Sequence, residues 1–259
     1  MCRWAAYIGE PIYLEEIVSA PQQSLMRQSL HAMQSKTETN GDGFGLAWYG
    51  EREVPGLYHD VLPAWADPNL RSLSHQVRSR CFLAHVRAST GTATSRTNCH
   101  PFAAGRWSFM HNGQVGGYAG FRRQVDMMID EGWYCHRHGT TDSEALFLLA
   151  LGEGLERCPR TALERATGRL ERLSRDNGAT PHMRMTIALS DGKTLYAARY
   201  ASDEYAPSLY VRHLDHHHGS AVVSEPLEDD SSGWEEVPPG RFVTVTPYAI
   251  LSEDFRPAA

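Results

Sequence analysis

Met1-Cys2-Arg3-Trp4-Ala5-Ala6-Tyr7-Ile8-Gly9 opens the chain. A cysteine directly behind methionine is small enough for the methionine to be trimmed away, which would leave Cys2 carrying both a thiol and a free α-amino group. An α-amine titrates near ~8, so close to neutral pH a useful fraction is unprotonated and can serve as a base. Nucleophile and base then belong to one residue, as they do in N-terminal threonine nucleophiles. Position alone does not separate this from a small buried hydrophobe that happens to stand second. Trp4 to Ile8 fits a strand that would fix the terminus rigidly, so the decision rests on what the remaining chain supplies.

Working outward, Gly9-Glu10-Pro11 reads as a turn, and residues 12–35 as helical pieces with Leu25, Met26, Leu30 and Met33 at roughly helical spacing. Asn40-Gly41-Asp42-Gly43 is a turn signal. Phe44 to Gly50 reads as a strand whose glycines admit another backbone or a ligand. After a Pro- and Trp-containing loop come a helix at 68–78 and an apolar strand at 81–87. Ser89 to Arg106 is a long loop rich in Thr, Ser and Gly, the kind that in a compact domain usually carries function. Trp107 to His111 is a strand, halted by Asn112-Gly113. Helices are expected near 117–131, 141–157 and 160–175; the second opens with Thr141-Asp142-Ser143-Glu144, a capping-box pattern. Strands follow at 183–190, 193–200, 208–213, 220–224 and 241–246, with Asp191-Gly192 as a hairpin signal. Strands, then helices, then strands argue for α+β layering over an alternating parallel sheet. There is no internal repeat and no low-complexity linker, so residues 1–259 read as one domain.

With 259 residues the chain can bury a substantial core, and 41% hydrophobic with 22% charged residues is an ordinary globular composition. The net charge of −6 gives no support to nucleic-acid binding, which favours a basic stripe. No apolar run approaches the ~20 residues of a membrane helix, and no signal peptide is visible. The five cysteines Cys2, Cys81, Cys99, Cys135 and Cys158 are scattered and show no C-x-x-C spacing, which points to a reducing cytoplasm. His213-Leu214-Asp215-His216-His217-His218 contains metal-ligand residue types, but adjacent histidines rarely converge on one ion and Gly219 follows; a solvated hairpin loop is expected, as is a solvated turn at Glu228-Asp229-Asp230. No metal and no cofactor is expected.

Cleaving a carboxamide needs a nucleophile, a proton acceptor, donors for the tetrahedral oxyanion and groups that hold the substrate. Cys2 can supply the first two. Asn112-Gly113 can supply a side-chain amide and a backbone N–H for the third, and equally reads as a plain hairpin turn. Arg87, closing an apolar strand, suits a bidentate grip on a carboxylate, or a salt bridge to one of the many acids. Asp142 can hold a substrate ammonium or cap its helix.

In order, the motifs run Cys2; Asn40-Gly41-Asp42-Gly43-Phe44-Gly45; His85-Val86-Arg87-Ala88-Ser89-Thr90; Asn98-Cys99-His100-Pro101-Phe102; His111-Asn112-Gly113; and Thr141-Asp142-Ser143-Glu144. This order resembles the class II glutamine amidotransferases, the N-terminal-nucleophile family, closely over the first 150 residues. Val223-Ser224-Glu225-Pro226-Leu227 and Trp234 are similar to the family's late strands. The resemblance implies a four-layer αββα sandwich, two antiparallel sheets between helical layers. It implies Cys2 as nucleophile with its own amine as base, through a water, and Asn112 and Gly113 as the oxyanion hole. Arg87 would bind the α-carboxylate of glutamine and Asp142 its α-ammonium, with Thr90 and His100 lining the pocket. The implied reaction is attack on a γ-carboxamide, release of ammonia or another amine, and hydrolysis of a γ-glutamyl thioester. Were Met1 retained, the amine of Cys2 would be tied up in a peptide bond and the molecule would be an inactive precursor.

Family members that feed a synthase carry a second catalytic domain, for which this length leaves no room, so the resemblance points to the stand-alone subgroup that includes the γ-glutamyl hydrolase of ergothioneine biosynthesis. Gln28-Ser29 leans the same way. The tryptophan that often follows the binding arginine is here Ala88, which alters the pocket wall and leaves the choice between free glutamine and a γ-glutamyl conjugate open. Two alternatives stand beside the hydrolase: the glutaminase subunit of a two-protein amidotransferase with a separate synthase, and a non-catalytic amino-acid-binding sensor. The expected partner is a small-molecule substrate, with no nucleic acid and no membrane. Trp65, Trp133 and Tyr134 could serve a homo-oligomer contact or a substrate lid.

Overall fold

The structure, a computed structural model, describes residues 2–34, 39–89 and 93–257. Among these, thirteen strands form two antiparallel sheets. The first runs β11 (Glu235–Glu236), β9 (Tyr210–Leu214), β10 (Gly219–Val223), β1 (Arg3–Tyr13), β4 (Arg78–Val86), β2 (Phe44–Trp48) and β3 (Gly56–Asp60). The second runs β13 (Ile250–Asp254), β12 (Arg241–Val245), β8 (Leu195–Ala201), β7 (Met183–Ser190), β6 (Trp107–Val115) and β5 (Phe102–Ala104). The helices are α1 (Glu15–Val18), α2 (Leu25–Leu30), α3 (Pro68–Gln76), α4 (Tyr118–Asp126), α5 (Glu131–Tyr134), α6 (Asp142–Gly152) and α7 (Pro159–Asp176).

The opening strand explains the layering. Arg3 to Ile8 are all buried, because β1 is flanked by β4 on one side and β10 on the other and is covered on both faces. Successive side chains point to opposite faces of a strand. Ala5 and Tyr7 therefore pack with Ile17, Leu25 and Leu70 of the helices α1, α2 and α3. Trp4, Ala6 and Ile8 pack against Met110, Ala188, Ala197 and Val243 of the second sheet. The second sheet repeats the logic: Phe109, Ile187, Leu189 and Phe242 turn away from the first sheet and meet α4, α6 and α7. Each buried aromatic removes ~200 Å² from water, worth about 5 kcal/mol at ~25 cal/mol/Å². Three apolar layers thus separate helices, sheet, sheet and helices, the expected αββα order.

α6 is buried along its length from Ser143 to Leu151 and carries no polar stripe, so it has to lie between β6 and α7. α7 buries one stripe through Ala162, Leu163, Ala166 and Leu170, and starts on Pro159, whose missing N–H costs nothing at a first helical turn. No helix among the described residues is long and apolar enough to cross a membrane.

Asn112-Gly113 does not halt β6: Asn112 pairs with Thr186 and Gly113 with Met185, and the ladder continues to Val115 and Met183. The turn falls later, at Gly117, which adopts φ 69 as the residue preceding α4. Gly9-Glu10-Pro11 lies inside β1, absorbed by a register shift between Ile8 and Ile12 where β10 no longer pairs and Pro11 has no ladder bond to break. Leu30 and Met33 are exposed, and Met33 lies beyond α2. The Pro- and Trp-containing loop holds β3, and the long loop holds the short strand β5. β11 and β13 lie outside the strands expected from the sequence. The His213–His218 segment is the tip of the β9–β10 hairpin, as expected, with His213 Nδ1 2.9 Å from Ser220 Oγ. Trp65 packs against Gly41 and Trp133 against the core beside α6, which leaves Tyr134 half exposed.

Candidate active site

The antiparallel pairing of β1 with β4 brings the head of the chain against the end of the arginine strand. Arg3 is opposite Val86, so Cys2 and Arg87 fall on the next rung, beyond the last ladder pair. Ala88 N–H donates to Cys2 Sγ at 3.4 Å, and the thiol lies 3.6 Å from the Ala88 carbonyl oxygen. Burial pushes the Cys2 thiol above its ordinary value, opposed by the Ala88 contact and the cations Arg87 and Arg3. The Asn40–Gly43 turn braces the arginine: Arg87 N–H donates to Gly43 O at 2.8 Å, Arg87 Nη1 to Asp42 O at 3.3 Å, and the Asp42 carboxylate accepts from Ser89 N–H at 2.7 Å. Arg87 Nη2 reaches Ser89 Oγ at 3.3 Å and Ala93 O at 3.2 Å.

The second wall comes from the other sheet and its helices. Gly113 sits on β6, and a Cβ there would be driven into the carbonyl of Arg184, which makes glycine obligatory. His111, two residues earlier, places Nδ1 2.8 Å from Ser143 Oγ at the start of α6. Asp142 Oδ2 accepts from Val115 N–H at 2.8 Å and Oδ1 from Ser143 N–H at 2.8 Å, so its carboxylate is fixed at the seam of β6 and α6. It does not cap the helix. Thr141 does, accepting from Glu144 N–H at 3.2 Å, while Glu144 turns away to Arg137 and the N–H groups of His138 and Gly139 instead of closing a capping box.

Together these elements enclose a cavity of about 510 Å³. Cys2, Arg87, His100, Gly113 and Asp142 line it, as the sequence led us to expect, along with Ser89, His111 and Tyr118, which it did not. Asn112 is not among the lining residues. It shares the parity of Met110 on β6, on the face toward the first sheet, and is buried with both amide atoms lacking a hydrogen-bond partner among the described residues. Thr90 lies outside the described residues.

Beneath the Cys2–Arg87 rung lies a layer of imidazoles. Two rungs inward, the register runs Trp4, His85, Gly45, His59 across four strands. Gly45 leaves a gap that the backbone of His100 fills; a Cβ there would collide with the His100 carbonyl oxygen. The His100 ring then lies over His85, with centroids 4.3 Å apart. Burial holds His85 down to about 3, with Arg87 and His111 adding to the effect. His100 is lowered well below its ordinary value by burial, then His85 and His111. His111 is lowered by burial and partly restored by Asp142. The layer is therefore neutral at physiological pH. His85 could have been singled out only by counting rungs, since it reads as one polar residue in an apolar strand.

The family description "Glutamine amidotransferases class-II" matches residues 19–213. The chain is 31% identical to a probable glutamine amidotransferase, DUG3, of Saccharomyces cerevisiae, over 97% of this chain and 83% of that protein. It is 30% identical to the gamma-glutamyl-hercynylcysteine sulfoxide hydrolase of Mycolicibacterium smegmatis, over 95% of this chain and 96% of that one. Among solved structures, a glutamine aminotransferase class-II domain protein from Silicibacter pomeroyi superposes with a TM-score of 0.81 at 51% identity, over 99% of this chain and 100% of that chain. The glutamine phosphoribosylpyrophosphate amidotransferase of B. subtilis shares the fold at 17% identity, with a TM-score of 0.65 over 98% of this chain and 49% of its own. Ordered motifs, sandwich and family match agree, and the chain belongs to the class II glutamine amidotransferases.

Proposed function

We propose that this protein is an amidohydrolase that cleaves the γ-glutamyl amide of glutamine or of a γ-glutamyl conjugate, with Cys2 as the nucleophile. The observation that carries the reading is the single cavity lined by Cys2, Arg87, His100, Gly113 and Asp142. Because burial raises the thiol, Cys2 is protonated at neutral pH and needs a base beside it. Loss of Met1 creates one, an α-amine titrating near ~8 on the same residue. The amine takes the thiol proton, directly or through a water, as sulfur attacks the γ-carbonyl carbon. The oxyanion that forms is met by the Gly113 N–H from the cavity wall and, from behind that wall on the face toward the first sheet, by the Asn112 carboxamide, which has no other partner among the described residues. Such donors are typically worth about 3–4 kcal/mol each in a transition state. Collapse expels ammonia or an amine, which takes up the proton, and water then hydrolyses the γ-glutamyl thioester.

Arg87 pairs with the α-carboxylate. Asp142 holds the α-ammonium with lone pairs left over after its two backbone contacts, since a carboxylate offers about four acceptor sites. His100 completes the pocket wall. The cavity volume sits inside the ~300–1,000 Å³ range of small-molecule sites, and Ala88 adds no bulk to its wall. That room supports a substituent on the amide nitrogen, in keeping with the mycobacterial relative's name.

Intact mass, paired with product detection on glutamine and on a γ-glutamyl-cysteine conjugate, tests the reading. Mass lacking Met1 with glutamate released is the expected result. Undiminished turnover in Cys2→Ala would overturn it, and glutamine binding without turnover by processed protein would make the chain a sensor. The same site would serve a glutaminase that hands ammonia to a separate synthase; full kcat in isolation separates the hydrolase from that subunit.

A further inference from the structure

Asn98 touches none of the groups proposed to meet the substrate, yet it lies between two of them. It is 1% exposed and ends the short helical turn Arg96–Asn98. Its amide makes contacts in two directions. Nδ2 donates to Ala93 O at 2.9 Å, the same carbonyl that accepts from Arg87 Nη2 at 3.2 Å. Oδ1 accepts from Thr140 N–H at 2.8 Å, and Nδ2 also reaches Thr140 Oγ1 at 3.1 Å, two residues before Asp142. The orientation of the amide is dictated by its partners, since a carbonyl at one end demands NH₂ and an N–H at the other demands oxygen. Gly139 lets the two segments meet: a Cβ there would lie 2.5 Å from Asn98 Oδ1.

We infer that Asn98 is a positioning residue that sets the spacing between Arg87 and Asp142, and so the site's selectivity for an α-amino acid headgroup. This rests on the reading of Arg87 and Asp142 as the carboxylate and ammonium partners. Those two charges sit on one carbon of the substrate, so a cation and an anion that recognise both must be held at a fixed separation. A misplacement of ~1 Å can cost about 100-fold in rate. One buried amide spans the gap, with its acceptor on the Asp142 arm and its donors directed to both arms. Few other side chains present donor and acceptor together on so short a stem.

The test compares glutamine with glutaramate, which lacks the ammonium, and with 4-aminobutanamide, which lacks the carboxylate, using processed full-length protein. In the wild type each deletion lowers kcat/KM about 10- to 100-fold, the range for one charge-assisted contact. In Asn98→Ala both penalties shrink to within a few-fold, KM for glutamine rises more than kcat falls, and the amine-dependent pH profile is unmoved. Asn98→Asp keeps the acceptor for Thr140 N–H but sets a carboxylate against the Ala93 carbonyl. It loses the carboxylate penalty and keeps the ammonium penalty, and it decides the matter alone if the alanine variant fails to fold. Wild-type penalties in both variants overturn the inference. Arg87→Ala and Asp142→Ala each erase their own penalty; if neither does, the headgroup reading of the site is what has failed, and the role of Asn98 falls with it.

Discussion

Arg3 and Glu225 form a buried ion pair, Nε to Oε2 3.1 Å, with side chains 0% and 4% exposed. The Nε–H is not aligned on the carboxylate, so the contact is ionic rather than a hydrogen bond. Glu225 also accepts from the N–H groups of Met33 at 3.0 Å and Gln34 at 3.1 Å, and Arg3 donates to the carbonyls of Cys2 and Gln34. One pair thereby ties the residue behind Cys2 to the end of β10 and to the segment after α2. Removing one partner strands a buried charge, so Glu225→Ala is expected to cost about 3–5 kcal/mol in urea unfolding at pH 7. A loss under 1 kcal/mol would show that the pair is not structural.

Asn112 presents the opposite case. Its carboxamide is buried and has no hydrogen-bond partner among the described residues, an arrangement that costs stability. Asn112→Leu is expected to lower kcat about 100- to 1,000-fold, the cost of one oxyanion donor, while the melting temperature holds or rises. Normal kcat in a folded Asn112→Leu protein would remove Asn112 from the oxyanion hole.

The imidazole layer makes stability fall with acid. His85 titrates at about 3 in the folded protein and near ~6.5 when unfolded, so the unfolded state binds its proton first. Above pH ~6.5 neither form is charged and nothing is lost; below it, each such histidine costs about 1.4 kcal/mol per pH unit until its folded value is reached. His100 and His111, lowered in the same direction, steepen the slope. Urea midpoints between pH 7 and 5 should fall accordingly, and His85→Gln should flatten the dependence by about one proton. An unchanged slope in that variant would mean His85 titrates normally.

Gly45→Ala would push a methyl group into the His100 carbonyl. Such overpacking typically costs about 1–3 kcal/mol, and here it also displaces a cavity wall, so kcat/KM should fall with stability. Gly132→Ala, on α5 with nothing within 4 Å, is the matched control and should be neutral or slightly stabilising. Equal behaviour of the two variants would contradict the close approach at Gly45.

What was legible in the sequence follows from which signals are local. The apolar stretch Trp4 to Ile8, the Asp191-Gly192 turn and the Thr141–Glu144 helix start each declare their element within a few residues; their order gave α+β layering, and the family resemblance gave the four layers. Asn112-Gly113 misled because the pairing of β6 with β7 overrides a dipeptide's turn preference. Short edge strands such as β3 and β5 owe their existence to a neighbour, which no window of sequence contains. The same applies to the site. Cys2, Arg87, Gly113 and Asp142 were visible as motifs, whereas Asn98 matters through Ala93 and Thr140, and His85 through its rung.

Trp4 N–H donates to Ser224 Oγ at 2.9 Å across 220 positions of sequence, and β1 pairs along β10 as well as β4. Contacts of such long range form late, because their loop-closure entropy is met only when both ends exist. The strand behind Cys2 gains its second neighbour only after residue 223 has left the ribosome. Until then the thiol has no finished site, so a prematurely terminated chain is expected to be silent rather than an unregulated amidase. Synthesis must pass residue 223 before that site can close.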